Sequence, residues 1–196
     1  MDLPRDTDQN EWAEKRRIRE RYQVSADAYD ATYELEQAEK HKAALRVALP
    51  GKGRVILDIG CGSGRLLELL APEVGLAVGA DISVRLLSLA ARRTRARRNV
   101  ALVCCDVEYL PFVAGIFQMI FAVTVLQNLP SPQRALREAM RVVSPDGRLL
   151  ITFLKKSFQT RDVRELLSST GLHLEMALDN PELRDLIVLC RPVQRS

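Results

Sequence analysis

One stretch constrains this chain more than any other. Val55-Ile56-Leu57-Asp58-Ile59 is an apolar run carrying an acid near its end, and it leads through Gly60-Cys61-Gly62-Ser63-Gly64 into the apolar-periodic Arg65-Leu66-Leu67. A strand, a turn with glycine at alternate positions and a helix start follow one another. Glycine leaves the backbone bare, so a ligand can lie directly against it. The helix beyond the turn points its unpaired N–H groups and its positive dipole end at that ligand. Asp58 stands where a phosphate would have to lie, and its charge would repel one. The turn is therefore read as a seat for a cationic ligand that carries a nucleoside.

Composition sets outer limits. A chain of 196 residues, 47% hydrophobic, has room for one sizeable core and is short for two domains. No run of about 18 apolar residues predicts a membrane span. Met1 to Asn10 is polar and acidic, without the apolar core of a signal peptide. Cys61, Cys104, Cys105 and Cys190 show no Cys-x-x-Cys spacing, and only His41 and His173 could join them as ligands. Neither a metal site nor a disulfide framework is expected, and a reducing cytoplasm is the expected compartment. The net charge of +4 is compatible with an anionic partner without specifying one.

Along the chain, Glu11 to Leu49 is rich in Glu, Lys, Arg and Ala with no Gly or Pro, which predicts one or two helices. Pro50-Gly51-Lys52-Gly53 then breaks the chain, so residues 1–50 are read as a helical preface and 51–196 as the main domain. Strands are expected over Arg54–Ile59, Leu76–Ala80, Val100–Cys104, Gln118–Val123, Arg148–Phe153, about His173–Ala177 and Leu186–Cys190. Helices fall between them: one runs to Pro72, one is capped by Ser83, one starts at Ser131-Pro132, and one is capped by Thr160 and ends at Gly171. Pro145-Asp146-Gly147 is read as the turn into the fifth strand. This alternation predicts an α/β fold, a doubly wound and mostly parallel sheet with helices on both faces. Ligands of such sheets bind beyond the carboxyl ends of the strands, at the switch point.

Asp58, Asp81 and Asp106 all fall at strand carboxyl ends. Asp81 follows Asp58 by 23 residues, near the offset at which an acid grips ribose hydroxyls in dinucleotide folds. The glycine pattern separates the options. A dinucleotide fingerprint wants a third glycine where this chain has Arg65, and an apolar residue where it has Asp58. Taken singly, Asp58 could cap the following helix, and Asp81 or Asp106 could be turn acids. Three acids in register with the glycines argue for a common site.

At this point the chain resembles the class I S-adenosylmethionine-dependent methyltransferases. Val55 to Gly64 (VILDIGCGSG) is similar to the first motif of that family, Val78-Gly79-Ala80-Asp81-Ile82-Ser83 to the second, and Cys105-Asp106-Val107-Glu108-Tyr109-Leu110-Pro111-Phe112 to the third. Phe117 to Ala122 resembles its fourth strand and Arg141 to Arg148 the approach to its fifth, so the likeness runs in unbroken order from about Arg54 to Phe153. The resemblance implies a seven-stranded sheet of order 3-2-1-4-5-7-6 with the last strand antiparallel. It implies that Asp58 and the backbone of Gly60 and Gly62 hold the methionine moiety, that Asp81 takes the ribose hydroxyls and that Ile82 packs on adenine. Asp106 would accept from the adenine amino group, and the backbone of Val107 would meet the ring. The donor implied is S-adenosylmethionine, and no metal is required.

Three segments carry the open questions. Tyr22, Ala26, Tyr29, Asp30, Tyr33 and Gln37 recur mostly at helical spacing. They form either a lid in which Tyr29 covers the methionine end, assisted by Gln37 or Lys40, or an amphipathic helix packed on the domain. Arg92 to Arg98 forms a basic cluster that suits either a helix C-terminus or a phosphate-contacting patch for RNA. No aromatic residue is interleaved for base stacking. Thr124, Gln127 and Asn128, after the fourth strand, are the expected substrate-facing residues. The Asn/Asp-Pro-Pro-Tyr/Phe motif of amino-directed methyltransferases is missing there. No residue is assigned as catalytic base, and neither histidine lies in a motif. RNA or a translation-related protein is the preferred acceptor, with a small organic acceptor, or a non-catalytic cofactor-binding subunit needing a partner, as alternatives.

Overall fold

The computed structural model describes residues 12–13, 15–18, 20 and 34–193. Helix α1 comprises the described residues 12–13, 15–18 and 20. There follow α2 (Glu34–Val47), β1 (Val55–Ile59), α3 (Arg65–Leu70), β2 (Leu76–Asp81), α4 (Val84–Arg93), β3 (Val100–Cys104), β4 (Phe117–Ala122), α5 (Pro132–Val142), β5 (Val143–Leu154), α6 (Thr160–Ser169), β6 (Leu172–Leu178) and β7 (Asp185–Pro192). The sheet order is β3-β2-β1-β4-β5-β7-β6. The pairs β1–β2, β1–β4, β2–β3 and β4–β5 are parallel, and β7 runs antiparallel to both β5 and β6. This is the expected doubly wound order with its last strand antiparallel.

β1 lies inside the sheet and is covered on both faces, which is why it reads as a nearly unbroken apolar run. Alternate side chains sort to opposite faces. Leu57 and Ile59 join Ile120, Leu136 and Leu167 in one core cluster. Ile56 joins Leu66, Leu70, Leu87, Met119 and Phe121 in the other, together with Ala43 and Ala44 of α2. The chain winds outward in both directions from the β1–β4 pair, so a crevice opens at the carboxyl ends of those two strands. Among the described residues, no helix is long and apolar enough to cross a membrane.

Two helix starts follow their expected caps: Ser83 accepts from Leu86 N–H at 3.3 Å and Ser131 from Arg134 N–H at 3.3 Å. Two local expectations are corrected. Thr160 is the first residue of α6 and Gln159 is its cap, the Gln159 N–H donating to Asp162 at 2.9 Å. Pro145-Asp146-Gly147 does not stand outside the sheet as a turn. Phe117 pairs with Val143 while Met119 pairs with Arg148, so β5 carries the extra residues as a bulge. The reason is tertiary: β4 offers a pairing edge on both sides of the interruption.

Tyr22, Ala26, Tyr29, Asp30 and Tyr33, on which the lid reading rests, lie outside the described residues.

Candidate active site

The turn after β1 is held in the left-handed region, with φ of 67° at Gly60 and 53° at Gly62. Two features distinguish these glycines. A Cβ at Gly60 would run into the Val125 side chain, so this residue permits a close approach of the loop after β4. A Cβ at Gly62 would meet nothing within 4 Å, so the backbone there faces open space. The turn is fixed from behind. The N–H groups of Gly60 and Cys61 both donate to Ala80 O, at 2.7 and 3.1 Å. Arg93 donates to Ser63 O and Ser63 Oγ, each at 2.6 Å, so one arginine of the basic cluster braces the turn.

A cleft of about 1060 Å³, its open mouth included, lies over this turn. Of the residues expected there, it is lined by Gly60, Gly62, Asp81, Ile82, Asp106, Val107, Thr124 and Asn128. Asp58 and Gln127 are not among its lining residues. Asp58 is buried at the end of β1, its carboxyl pushed well above the usual range by burial and then by the Asp81 charge. Gln127 lies in a short 3-10 turn, and its Oε1 is buried with no hydrogen-bond partner among the described residues.

Asp81 joins two turns. It accepts from Gly62 N–H at 2.9 Å and from Ser83 N–H at 2.8 Å. Burial raises its proton affinity, and the hydrogen bonds from the Ser83, Gly62 and Ile82 backbone oppose that rise. Asp106 accepts from Lys15 of α1 at 2.7 Å and from Glu108 N–H at 2.9 Å. Lys15 also reaches Glu108 at 2.8 Å and sits over the rings of Trp12 and Tyr109. α1 thus closes one end of the cleft with a buried cation.

At the other end, α2 contributes Gln37 and His41, one helical turn apart, to the lining. Between them Lys40 is 1% exposed. It donates to Thr124 Oγ1 at 2.8 Å and pairs with Asp185, fully buried on β7, at 2.6 Å. Thr124 has a φ of 61°, an outlier for a β-branched residue. It is held by its N–H bond to Thr152 Oγ1 at 2.8 Å and by Asn128 donating to its carbonyl at 3.2 Å.

His41 was not singled out by sequence, since Lys40-His41-Lys42 reads as an exposed polar stretch. In the structure it is 8% exposed and lowered to about 4, first by burial and then by the charges of Lys40 and Arg65. An unfolded histidine binds its proton near 6.5, so between pH 6.5 and 4 the unfolded chain holds the proton and the fold does not. His41 therefore contributes stability that is complete above about pH 6.5 and is lost as pH falls through that window, about 3 kcal/mol in all. Asp58, Asp81 and Glu108, all raised, act with the opposite sign. The difference between wild type and His41→Gln isolates the histidine. Urea midpoints measured from pH 7 to 4.5 should fall more steeply for wild type, and parallel curves would refute its neutral burial.

Residues 57–151 match the family model described as a methyltransferase domain. The matched domain covers just under half of the chain, and the sheet order is that of the class I, Rossmann-like S-adenosylmethionine-dependent methyltransferases. It is similar to the ubiquinone biosynthesis O-methyltransferase of Coxiella burnetii, 31% identical over 109 residues that cover 55% of this chain and 47% of that protein. It is also similar to the demethylmenaquinone methyltransferase of Tropheryma whipplei, 32% identical over 138 residues, 68% of this chain and 57% of that protein. The chain spans about half the length of these curated relatives. Among solved structures, it matches a chain from the complex containing the Haloferax volcanii Trm112 methyltransferase activator. The TM-score there is 0.78 at 18% identity, covering 91% of this chain and 99% of that one. The donor of this methyltransferase family is S-adenosylmethionine.

Proposed function

We propose that this chain transfers a methyl group from S-adenosylmethionine to an oxygen atom of a small organic acceptor. One observation carries the reading: bare backbone at Gly60 and Gly62, two carboxylates and an apolar wall of Ile82, Leu86 and Val107 converge on a single cleft. These groups fit the donor. The open space before Gly62 accommodates a ligand against the main chain, Asp81 and Asp106 offer lone pairs to hydroxyl and amino donors, and the apolar wall suits a purine. Gly60, Gly62 and the field of Asp58 and Asp81 would serve the methionine moiety, Asp81 the ribose, and Ile82, Asp106 and Val107 the adenine. Tyr29, in a preface of residues 1–50 over the domain of 51–196, would cover the methionine end. When bound, the donor supplies a methyl group already activated on a sulfonium. The residues of the chain bind and orient the partners and exclude water.

The name of the Coxiella relative supports oxygen as the acceptor atom. Neither curated relative supports the RNA or translation-protein acceptor suggested by Arg92 to Arg98, and Arg93 is engaged by Ser63. A second reading, a cofactor-holding subunit that works with a partner, draws on the likeness to the chain from the Trm112-containing complex. Incubating the protein with methyl-labelled donor and fractionated metabolite, RNA and protein pools tests both. Label in the metabolite pool supports the proposal and label in RNA or protein overturns its acceptor. Tight donor binding without label favours the second reading.

The same reading predicts that Asp81→Ala weakens donor binding by about 10- to 100-fold in calorimetry, the loss expected of a charged hydrogen-bonding group. An unchanged Kd would remove Asp81 from the site.

A further inference from the structure

We propose that α1 is an autoinhibitory strap: Lys15 and the adenine amino group of the donor compete for Asp106, so the chain holds donor and product less tightly than its cleft allows. The inference rests on the proposed reading of Asp106 as the adenine acceptor and adds a control on it. Lys15 is 4% exposed and lines the cleft together with Ile18 of the same helix. Its ammonium donates to Asp106 Oδ2 at 2.7 Å, while Asp106 Oδ1 takes the Glu108 N–H at 2.9 Å. Both oxygens of that carboxylate are thus engaged from within the chain.

Charge decides which group wins the oxygen. A bond from an ammonium to a carboxylate is roughly twice as strong as one between neutral groups, so a neutral adenine amino group takes Asp106 Oδ2 only at a loss. The loss is limited, because Lys15 has a second anion to fall back on. Glu108 Oε2 lies 2.8 Å from its ammonium on a fully buried side chain, and the rings of Trp12 and Tyr109 lie 5.3 and 5.0 Å from it. Glu108 is itself held in place, accepting from Ser131 N–H at 3.0 Å and from Arg134 at 3.4 Å. Lys15 can therefore pass from two acids to one without becoming an unpaired charge inside the fold.

A lysine that merely fastened α1 would act with the opposite sign. Its removal would loosen that end of the cleft and weaken donor binding, whereas removal of a competitor strengthens it. Donor and S-adenosylhomocysteine carry the same adenine, so the strap weakens both. It raises the donor concentration the chain requires and hastens departure of the product, a step that often limits turnover.

Calorimetry on the full chain reads the sign. Lys15→Met should bind S-adenosylhomocysteine about 10-fold more tightly than wild type, the gain expected when a charged hydrogen bond no longer has to be broken. Lys15→Gln, which keeps a polar head without the charge, should move in the same direction. S-inosylhomocysteine, whose purine carries an oxo group in place of the amino group, is the control. It offers Asp106 no amino proton and can accept from Lys15, so neither variant should bind it more tightly than wild type. Unchanged or weaker binding of S-adenosylhomocysteine in both variants, or an equal gain with both nucleosides, overturns the strap.

A second readout needs no variant. Trp12, the one tryptophan of the chain, lies over the Lys15 ammonium. Its emission should change as S-adenosylhomocysteine saturates wild type and stay in place with S-inosylhomocysteine. Unmoved emission at calorimetric saturation overturns the strap and leaves the donor reading intact. No binding of S-adenosylhomocysteine to wild type or to either variant takes both down.

Discussion

Gly60→Ala should abolish donor binding and destabilise the ligand-free fold by about 2–5 kcal/mol. Two costs add. A Cβ at φ 67° forces an L side chain into the left-handed region, at about 1–2 kcal/mol. The same Cβ is driven into Val125, an overpacking that costs about 1–3 kcal/mol more. Relief can come only by displacing the loop after β4, which carries Thr124, Val125 and Asn128 into the cleft. Gly62→Ala is the informative comparison. Its φ of 53° brings the first cost, and the open space around it spares the second. The Gly62 variant should therefore lose only about 1–2 kcal/mol of stability while failing to bind donor, since its new methyl group stands where the ligand must approach. Urea unfolding and calorimetry on both variants check this. Equal destabilisation at the two positions would show that Val125 is free to move aside and that the close approach is unimportant.

Lys40→Met should cost about 3–5 kcal/mol, the loss expected when a buried ion pair keeps only one partner. Asp185 is fully buried, and neither of its oxygens takes a directed hydrogen bond among the described residues. The ammonium 2.6 Å from its Oδ2 is the partner that faces it inside the fold. Removing Lys40 also releases Thr124 Oγ1, one of the contacts holding that residue at φ 61°. The double variant Lys40→Met/Asp185→Leu should recover most of the stability, because no unpaired charge is left inside. It should not recover activity, because Thr124 and the α2 face bearing His41 lose their tie. A loss below about 1 kcal/mol in the single variant would mean that Asp185 finds water or another partner, and the anchoring role of Lys40 would fall.

How far the sequence could be read follows the range of the interactions involved. The strand–turn–helix at Val55 to Leu70 was legible because its signals are local: an apolar run, glycines at alternate positions and a helical period. Asp81 and Asp106 were legible because strand ends can be counted, and both line the cleft. Asp58 shares the same local signal yet does not line it. The bulge at Pro145-Asp146-Gly147 was misread as a free turn because proline and glycine usually stop a strand, and only the pairing of Phe117 with Val143 extends β5 across it. Gln127 and Asn128 stand side by side in sequence, and nothing local says that one lines the cleft while the other turns inward.

By itself, the order of apolar runs, glycines and acids determined the doubly wound sheet and the cationic nucleoside seat at its switch point, because each depends on periods and spacings within a few residues. Tertiary structure alone decided that Lys40 and His41 are buried, that Asp185 faces the lysine and that Arg93 turns in to brace Ser63. Those outcomes depend on which surfaces α2, α4 and β7 bring together across long stretches of chain, and burial, unlike periodicity, belongs to the packed molecule.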